Sequence, residues 1–211
     1  MAKPRVIIAD DHRLFVAGLE RLLAPDCDIV ATIYDGLLLL DHVRRLRPEV
    51  VVQDLSIPPL NGIDIIRDIH DLDPQIRIVV VTMWDDPAIA AEAFRCGASA
   101  YVLKTCAVPE LLEAVHFALE HKTYVTPSIA SGMIQSLVQP PREGSDADTH
   151  LTSRQREVLR LLAEGKSMKE VAAVLNLTVR TVAFHKYRMM QMLNIKSSAE
   201  LVRFAVVQHI V

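Results

Sequence analysis

The chain has little cysteine: three residues in 211, Cys27, Cys96 and Cys106. Their number is odd and their spacing fits no metal knuckle. That argues against a disulfide framework or a thiolate zinc site, and fits free core thiols in a reducing compartment. No apolar run approaches the ~18 residues that a membrane span needs. Met1-Ala2-Lys3-Pro4 runs straight into a strand pattern with no secretory leader. There is no internal repeat. A soluble, cytoplasmic protein is expected.

What is present is a large apolar fraction, 51%, enough for a sizeable core. The length suits one large or two small domains. The net charge of −3 conceals a division. Residues 149–211 hold 10 Lys and Arg against 4 Asp and Glu, whereas the preceding residues hold 13 against 22. A basic piece joined to an acidic piece implies nucleic-acid contact in one domain only.

In the first 120 residues five strand-like runs alternate with amphipathic helical stretches. The strands are read at Arg5–Asp10, Ile29–Ile33, Val50–Asp54, Ile76–Thr82 and Ala100–Leu103. Near-continuous Val/Ile runs indicate strands buried on both faces, and the alternation predicts a doubly wound, parallel five-stranded α/β sheet. A short helix is expected after Pro127, reaching about Leu137. Gln139 to Asp148 is rich in Pro, Gly, Ser and Asp and reads as a flexible linker. The expected division is therefore a domain at 1–122, a linker with a short helix at 123–149, and a second domain at 150–211.

The second domain reads as four helices. Capping boxes at Thr152–Gln155, Ser167–Glu170 and Ser197–Glu200 mark helix starts. Gly165 and Asn194 can end helices in left-handed conformation, and Thr178 can cap the third helix. Asn176-Leu177 makes a tight turn between the second and third helices, a helix-turn-helix layout.

Asp10 and Asp11 end the first apolar strand and Asp54 ends the third. The carboxyl edge of a parallel sheet is where such folds place their ligands. Three carboxylates converging there need a divalent cation, a raised pKa or a hydrogen-bonding partner. Thr82 and Lys104 fall at the same edge. Asp54 could attack a phosphoryl group, with Mg²⁺ between Asp11 and Asp54 and Asp10 acting through water. Lys104 and Thr82 could then bind the phosphoryl oxygens.

At Asp10-Asp11-His12, Asp54 through Gly62, Val80-Val81-Thr82 and Gly97 through Lys104, the chain resembles the receiver domain of two-component response regulators. The resemblance covers residues 5–120. It implies that Asp54 accepts phosphate from a histidine kinase. It further implies that Asp10 and Asp11 are Mg²⁺ acids with the Ser56 backbone carbonyl as another ligand, that Thr82 and Tyr101 are a switch pair, and that Lys104 binds phosphate. Four positions depart from the family habit, one of them Thr105, which follows Lys104 where many receivers have Pro. Ile57 replaces a methionine. Gln53 replaces an apolar residue, so a buried amide needs a partner. Met83 replaces a small residue, and is expected to narrow access to the aspartyl phosphate.

From Leu151 onward, Leu-Thr-Ser-Arg-Gln-Arg-Glu-Val-Leu, Glu170-Val171-Ala172 and Thr178 through His185 resemble the LuxR/NarL-type helix-turn-helix. With the receiver in front, the whole chain resembles a NarL/FixJ-family transcriptional response regulator. On the third helix Val182, Met189 and Leu193 should pack inward, while Ala183, Phe184 and Tyr187 face the major groove. Thr181, Lys186 and Arg188 are expected at phosphates, with Lys169 at the preceding helix start. His185 is expected to pack or to contact phosphate. Thr178 and Arg180 complete the candidate DNA contacts. The resemblance implies a homodimer on DNA after activation. Two alternatives stand beside it: a regulator that binds DNA without phosphorylation, and a phosphohydrolase using Asp54. No cap or insertion for a small substrate is evident in the first 120 residues.

Overall fold

The protein is described by a computed structural model covering residues 2–58, 62–138, 151, 153–175, 177, 179–208 and 210. Contacts divide the chain into two compact units, Met1–Pro140 and Pro141–Val211.

In the first unit, β1 (Arg5–Ala9), β2 (Asp28–Ile33), β3 (Val50–Gln53), β4 (Arg77–Thr82) and β5 (Ala100–Leu103) alternate with five helices. These are α1 (Arg13–Leu23), α2 (Gly36–Leu46), α3 (Gly62–Leu72), α4 (Pro87–Arg95) and α5 (Ala107–Leu119). All pairings are parallel and the strand order is β2-β1-β3-β4-β5-β6. The expected five strands are therefore six. The added β6 is Tyr124–Val125, two residues along β5. Two residues are too short to show a periodicity, so the segment carries no strand signal of its own.

β6 runs into α6 (Pro127–Val138), which packs on α4. At Gly132 a Cβ would fall against the ring of Pro87, so a residue without a side chain permits the approach. Thr126 starts α6, its carbonyl accepting from the amides of Ile129 and Ala130. Residues 124–138, expected within the linker, thus build part of the first unit. The Pro/Gly/Ser/Asp-rich stretch from Gln139 to Asp148 lies outside the described residues.

Alternation along the strands splits the core in two layers. Val6, Ile8, Val50, Val52, Val79, Val81, Ala100 and Val102 pack with Val16, Leu19 and Leu23 of α1 and Leu111, Ala114, Val115 and Ala118 of α5. The intervening Ile7, Val51, Ile78 and Val80 are also fully buried and serve the opposite face. Each such aliphatic side chain stabilises by about 1.5–3 kcal/mol relative to exposure. Strand order reverses around β1, which makes the β1/β3 border the switch point where ligands bind in this topology.

The second unit contains α7 (Ser153–Ala163), α8 (Met168–Leu175), α9 (Val179–Met192) and α10 (Ser198–Val207). Val158, Leu159, Val171, Val182, Met189 and Leu201 form its core, with Leu193 packed against it. The Ser167–Glu170 capping box closes in both directions: the Ser167 amide donates to Glu170 Oε2 at 2.8 Å and the Glu170 amide donates to Ser167 Oγ at 3.3 Å. At the last helix the Glu200 amide donates to Ser197 Oγ, but the Glu200 carboxylate reaches one residue further back, to the Lys196 amide. Gly165 (φ 86°) and Asn194 (φ 53°) adopt the left-handed conformations expected of helix ends. After α7 the amides of Gly165 and Lys166 donate to Leu162 and Leu161, closing the last turn. Thr152, Asn176 and Thr178 lie outside the described residues.

Candidate functional site

The backbone ladder brings the acids together before any side chain acts. Ala9 pairs with Gln53, and the Asp54 amide donates to the Ala9 carbonyl at 2.9 Å. Asp10 and Asp54 are the next residues on two adjacent strands. On the other side Thr82 pairs with Leu103, and the Lys104 amide donates to the Thr82 carbonyl at 2.8 Å. Asp10, Asp54, Thr82 and Lys104 therefore share one sheet edge, as their sequence positions imply.

The pocket is almost closed to solvent. Asp10, Asp54 and Thr82 are 2%, 3% and 0% exposed. Lys104 Nζ lies 2.6 Å from Asp10 Oδ2 and 2.9 Å from Asp54 Oδ2. It also stands 5.0 Å from the centre of the Phe15 ring, a cation–π arrangement. His12 faces the two leading acids, with Nδ1 3.0 Å from Asp10 Oδ1 and 2.9 Å from Asp11 Oδ1. Its amide also donates to Asp10 Oδ1. Asp54 Oδ1 and Thr82 Oγ1 are buried without a hydrogen bond among the described residues. Asp10, Asp11, His12 and Asp54 each offer a ligand atom within 4.8 Å of the others. Three carboxylates against one ammonium leave two formal negative charges, which a dication balances. The oxygen-rich donor set suits a hard cation such as Mg²⁺.

Trp84 ties the surrounding loops. Its indole N–H donates to Ser56 Oγ at 2.7 Å, and its carbonyl accepts from the Tyr101 hydroxyl at 2.8 Å. Tyr101 is fully buried in this conformation. Burial pushes its phenol well above the ordinary range, and the charges of Asp86, Asp54 and Asp85 add to the effect. The buried amide of Gln53 has the partner it requires: Nε2 donates to the Gly62 carbonyl at 3.0 Å, tying the end of β3 to the start of α3. A Cβ at Gly62 would collide with the Leu55 backbone, with the Leu55 oxygen at 2.6 Å. Met83 is 61% exposed beside the buried Thr82.

Sequence reasoning missed His12 as a member of the cluster, although it directly follows two acids. It also missed Trp84, and Glu110 with Thr126. Thr126 Oγ1 donates to Glu110 Oε2 at 2.6 Å and accepts from the Leu103 amide at 3.1 Å. Only the fold shows that residues 16 positions apart meet beside the last residue of β5.

In the second unit α9 buries Val182, His185, Arg188 and Met189. His185 thus packs inward, and Arg188 lies on the same inner side rather than with the exposed positions. Tyr187 is exposed, while Thr181, Ala183, Phe184 and Lys186 are half-buried. Ala183, Phe184 and Tyr187 fall on one face by the 3.6-residue period, opposite the core. Lys186 Nζ sits 5.5 Å from the Tyr187 ring centre, and Lys169 is exposed in the first turn of α8. The side chain of Arg180 and all of Thr178 lie outside the described residues.

The pattern described as the response regulator receiver domain matches residues 6–116, and the one described as bacterial regulatory proteins of the luxR family matches residues 149–205. The oxygen regulatory protein NreC of Staphylococcus carnosus is 33% identical over 210 residues, covering 95% of this chain and 96% of NreC. The Salmonella typhimurium response regulator RcsB matches with a TM-score of 0.62 and 27% identity, over 97% of this chain and all of that one. A structure of two RcsB dimers bound to two parallel DNAs matches with a TM-score of 0.61 and 27% identity, over 97% of this chain and 98% of that one. No helix among the described residues is long and apolar enough to cross a membrane.

Proposed function

Since this chain belongs to the two-component response regulators, which join a receiver to a LuxR-type DNA-binding domain, we propose that Asp54 is the residue through which phosphorylation controls its DNA binding. It is a transcription regulator; the phospho-acceptor, the metal ligands and the contact residues are the proposal. The observation that carries it is the asymmetric use of the Asp54 carboxylate. Oδ2 is held by Lys104 at 2.9 Å, while Oδ1, like the Thr82 hydroxyl at the same sheet edge, is buried with no hydrogen bond among the described residues.

In the transfer step a carboxylate oxygen of Asp54 forms a bond to phosphorus as the P–N bond of a kinase phosphohistidine breaks. The electron pair stays on the leaving imidazole nitrogen, which takes up a proton. Lys104 and Thr82 bind the transferred oxygens, so both change partners on phosphorylation. Asp10, Asp11, Asp54 and the Ser56 carbonyl would hold Mg²⁺, which supplies charge neutralisation for the incoming phosphoryl group. The drawing-in of Thr82 moves the loop carrying Trp84. That loop bears on the Tyr101 hydroxyl and leads into α4 and the α6 packed against it. Differential contacts in the two states provide the bias between conformations.

The DNA-binding unit would then pair on a two-fold site as a homodimer. Ala183, Phe184 and Tyr187 face base edges, where apolar groups suit thymine methyls. Thr178, Arg180, Thr181, Lys186 and Lys169 approach phosphates, whereas the buried His185 and Arg188 support α9 from within. Incubation with Mg²⁺ and a small phosphodonor, followed by intact mass, tests the central step. A labile gain of one phosphoryl group that Asp54→Asn abolishes is the expected result. No gain where a control receiver is labelled would refute it and leave a DNA-binding regulator that works without phosphorylation.

A further inference from the structure

The sequence pattern makes oxygen donors of the pocket, yet a nitrogen donor stands among them. We propose that His12 is a ligand of the same cation site and tunes it toward a first-row transition dication, Mn²⁺, over Mg²⁺. This rests on the reading of the pocket as a divalent-cation site.

His12 occupies the N-cap position of α1, where Ser, Thr, Asn or Asp is preferred because the side chain caps a free amide. Its side chain makes no capping hydrogen bond. Instead Nδ1 lies 2.9 Å from Asp11 Oδ1 and 3.0 Å from Asp10 Oδ1. The backbone holds it there: its amide donates to Asp10 Oδ1 at 2.9 Å, and its carbonyl accepts from Val16 to begin the helix. The four ligand atoms of Asp10, Asp11, His12 and Asp54 span at most 4.8 Å. Donors on opposite sides of an ion with bonds near 2.1 Å stand about 4.2 Å apart, so a closure of well under 1 Å lets all four share one ion. The buried, unbonded Oδ1 of Asp54 is a separate sign that the cluster awaits a ligand.

The donor set then decides selectivity. Mg²⁺ favours carboxylate, carbonyl and water oxygens, whereas imidazole suits the transition dications, which also bind mixed N/O sites more tightly in the first-row order. As a ligand His12 presents the Nδ1 lone pair and carries its hydrogen on Nε2. The ring is half exposed and can make the small rotation needed.

The 211-residue chain reports binding itself, because its single tryptophan, Trp84, is bonded to Ser56 two residues past Asp54. Free Mn²⁺ is counted by its EPR signal, Mg²⁺ is read by competition, and Trp84 emission is followed in the same samples. Mn²⁺ should bind at least about tenfold more tightly than Mg²⁺. His12→Asn should weaken Mn²⁺ about tenfold and Mg²⁺ by less than about twofold, with a circular dichroism melt no lower than that of the parent. Equal loss for both ions, or none for either, would overturn the role of His12 while leaving the cation site in place. If neither ion binds, the cation-site reading fails with it.

Discussion

Thr82→Val should make the protein more stable and disable it at once. The hydroxyl is fully buried at the end of β4 and has no hydrogen bond among the described residues. A buried hydroxyl left unpaired costs about 1–3 kcal/mol in desolvation. Valine has the same branched shape and a high strand preference, so the exchange adds neither cavity nor strain. A gain of about 1–2 kcal/mol follows, or roughly 4 °C in melting temperature for each kcal/mol in a unit of this size. Urea unfolding of the full chain in EDTA, followed by Trp84 fluorescence, measures it, since the only tryptophan lies in the first unit. After phosphodonor treatment the variant should still gain mass at Asp54 but should no longer change its DNA affinity. A loss of 1 kcal/mol or more on substitution would refute the reasoning, because it would mean that the hydroxyl has a structural partner in the resting protein.

Gly62→Ala should cost about 1–3 kcal/mol in the same urea experiment, since the added Cβ meets the Leu55 backbone, which cannot swing aside. Ser167→Ala removes one side of the closed capping box and should destabilise the second unit by about 1 kcal/mol, read as faster amide exchange in α8. Met83→Ala should speed loss of the phosphoryl group from Asp54, because it removes an exposed side chain that directly follows Thr82; an unchanged dephosphorylation rate, followed by intact mass, would end that idea. The Tyr124 phenol is pushed up to about 12, first by burial and then by the Glu110 carboxylate. Its protonated form is the one the fold favours, so its contribution to stability is complete below about pH 10 and is lost as pH rises to about 12. A base titration of tyrosinate absorbance should lose a step near pH 12 in Tyr124→Phe.

The regular part of this architecture was legible because buried parallel strands need unbroken apolar runs, and Val50-Val51-Val52 can be little else. Apolar periodicity reads helices over Arg13–Leu23 and Pro87–Arg95, and α1 and α4 span those residues. The acids were legible too, since the end of an apolar run in such a fold is a sheet edge. The second unit showed its helix boundaries through local chemistry, at Ser167, Gly165 and Asn194. What escaped notice depends on contacts between distant residues. β6 exists because β5 offers it a ladder, not because Tyr124-Val125 forms a strand alone. The inward position of Arg188 follows from packing that a count of positive charges does not see. His12 belongs to the Asp10-Asp11-His12 motif, yet its place against two carboxylates is a matter of where α1 starts.

The attachment of β6 and α6 determines where this polypeptide can be cut. A fragment ending at Lys122 would lack the Tyr124 and Thr126 amides that cover the Ser99 and Tyr101 carbonyls, leaving β5 as a bare margin open to pairing with another chain. It would also strip the Leu103 amide of Thr126 Oγ1 and expose the seat of Ile129, which is buried in the intact unit. Dissection before Ile129 therefore damages the first unit rather than trimming a tail.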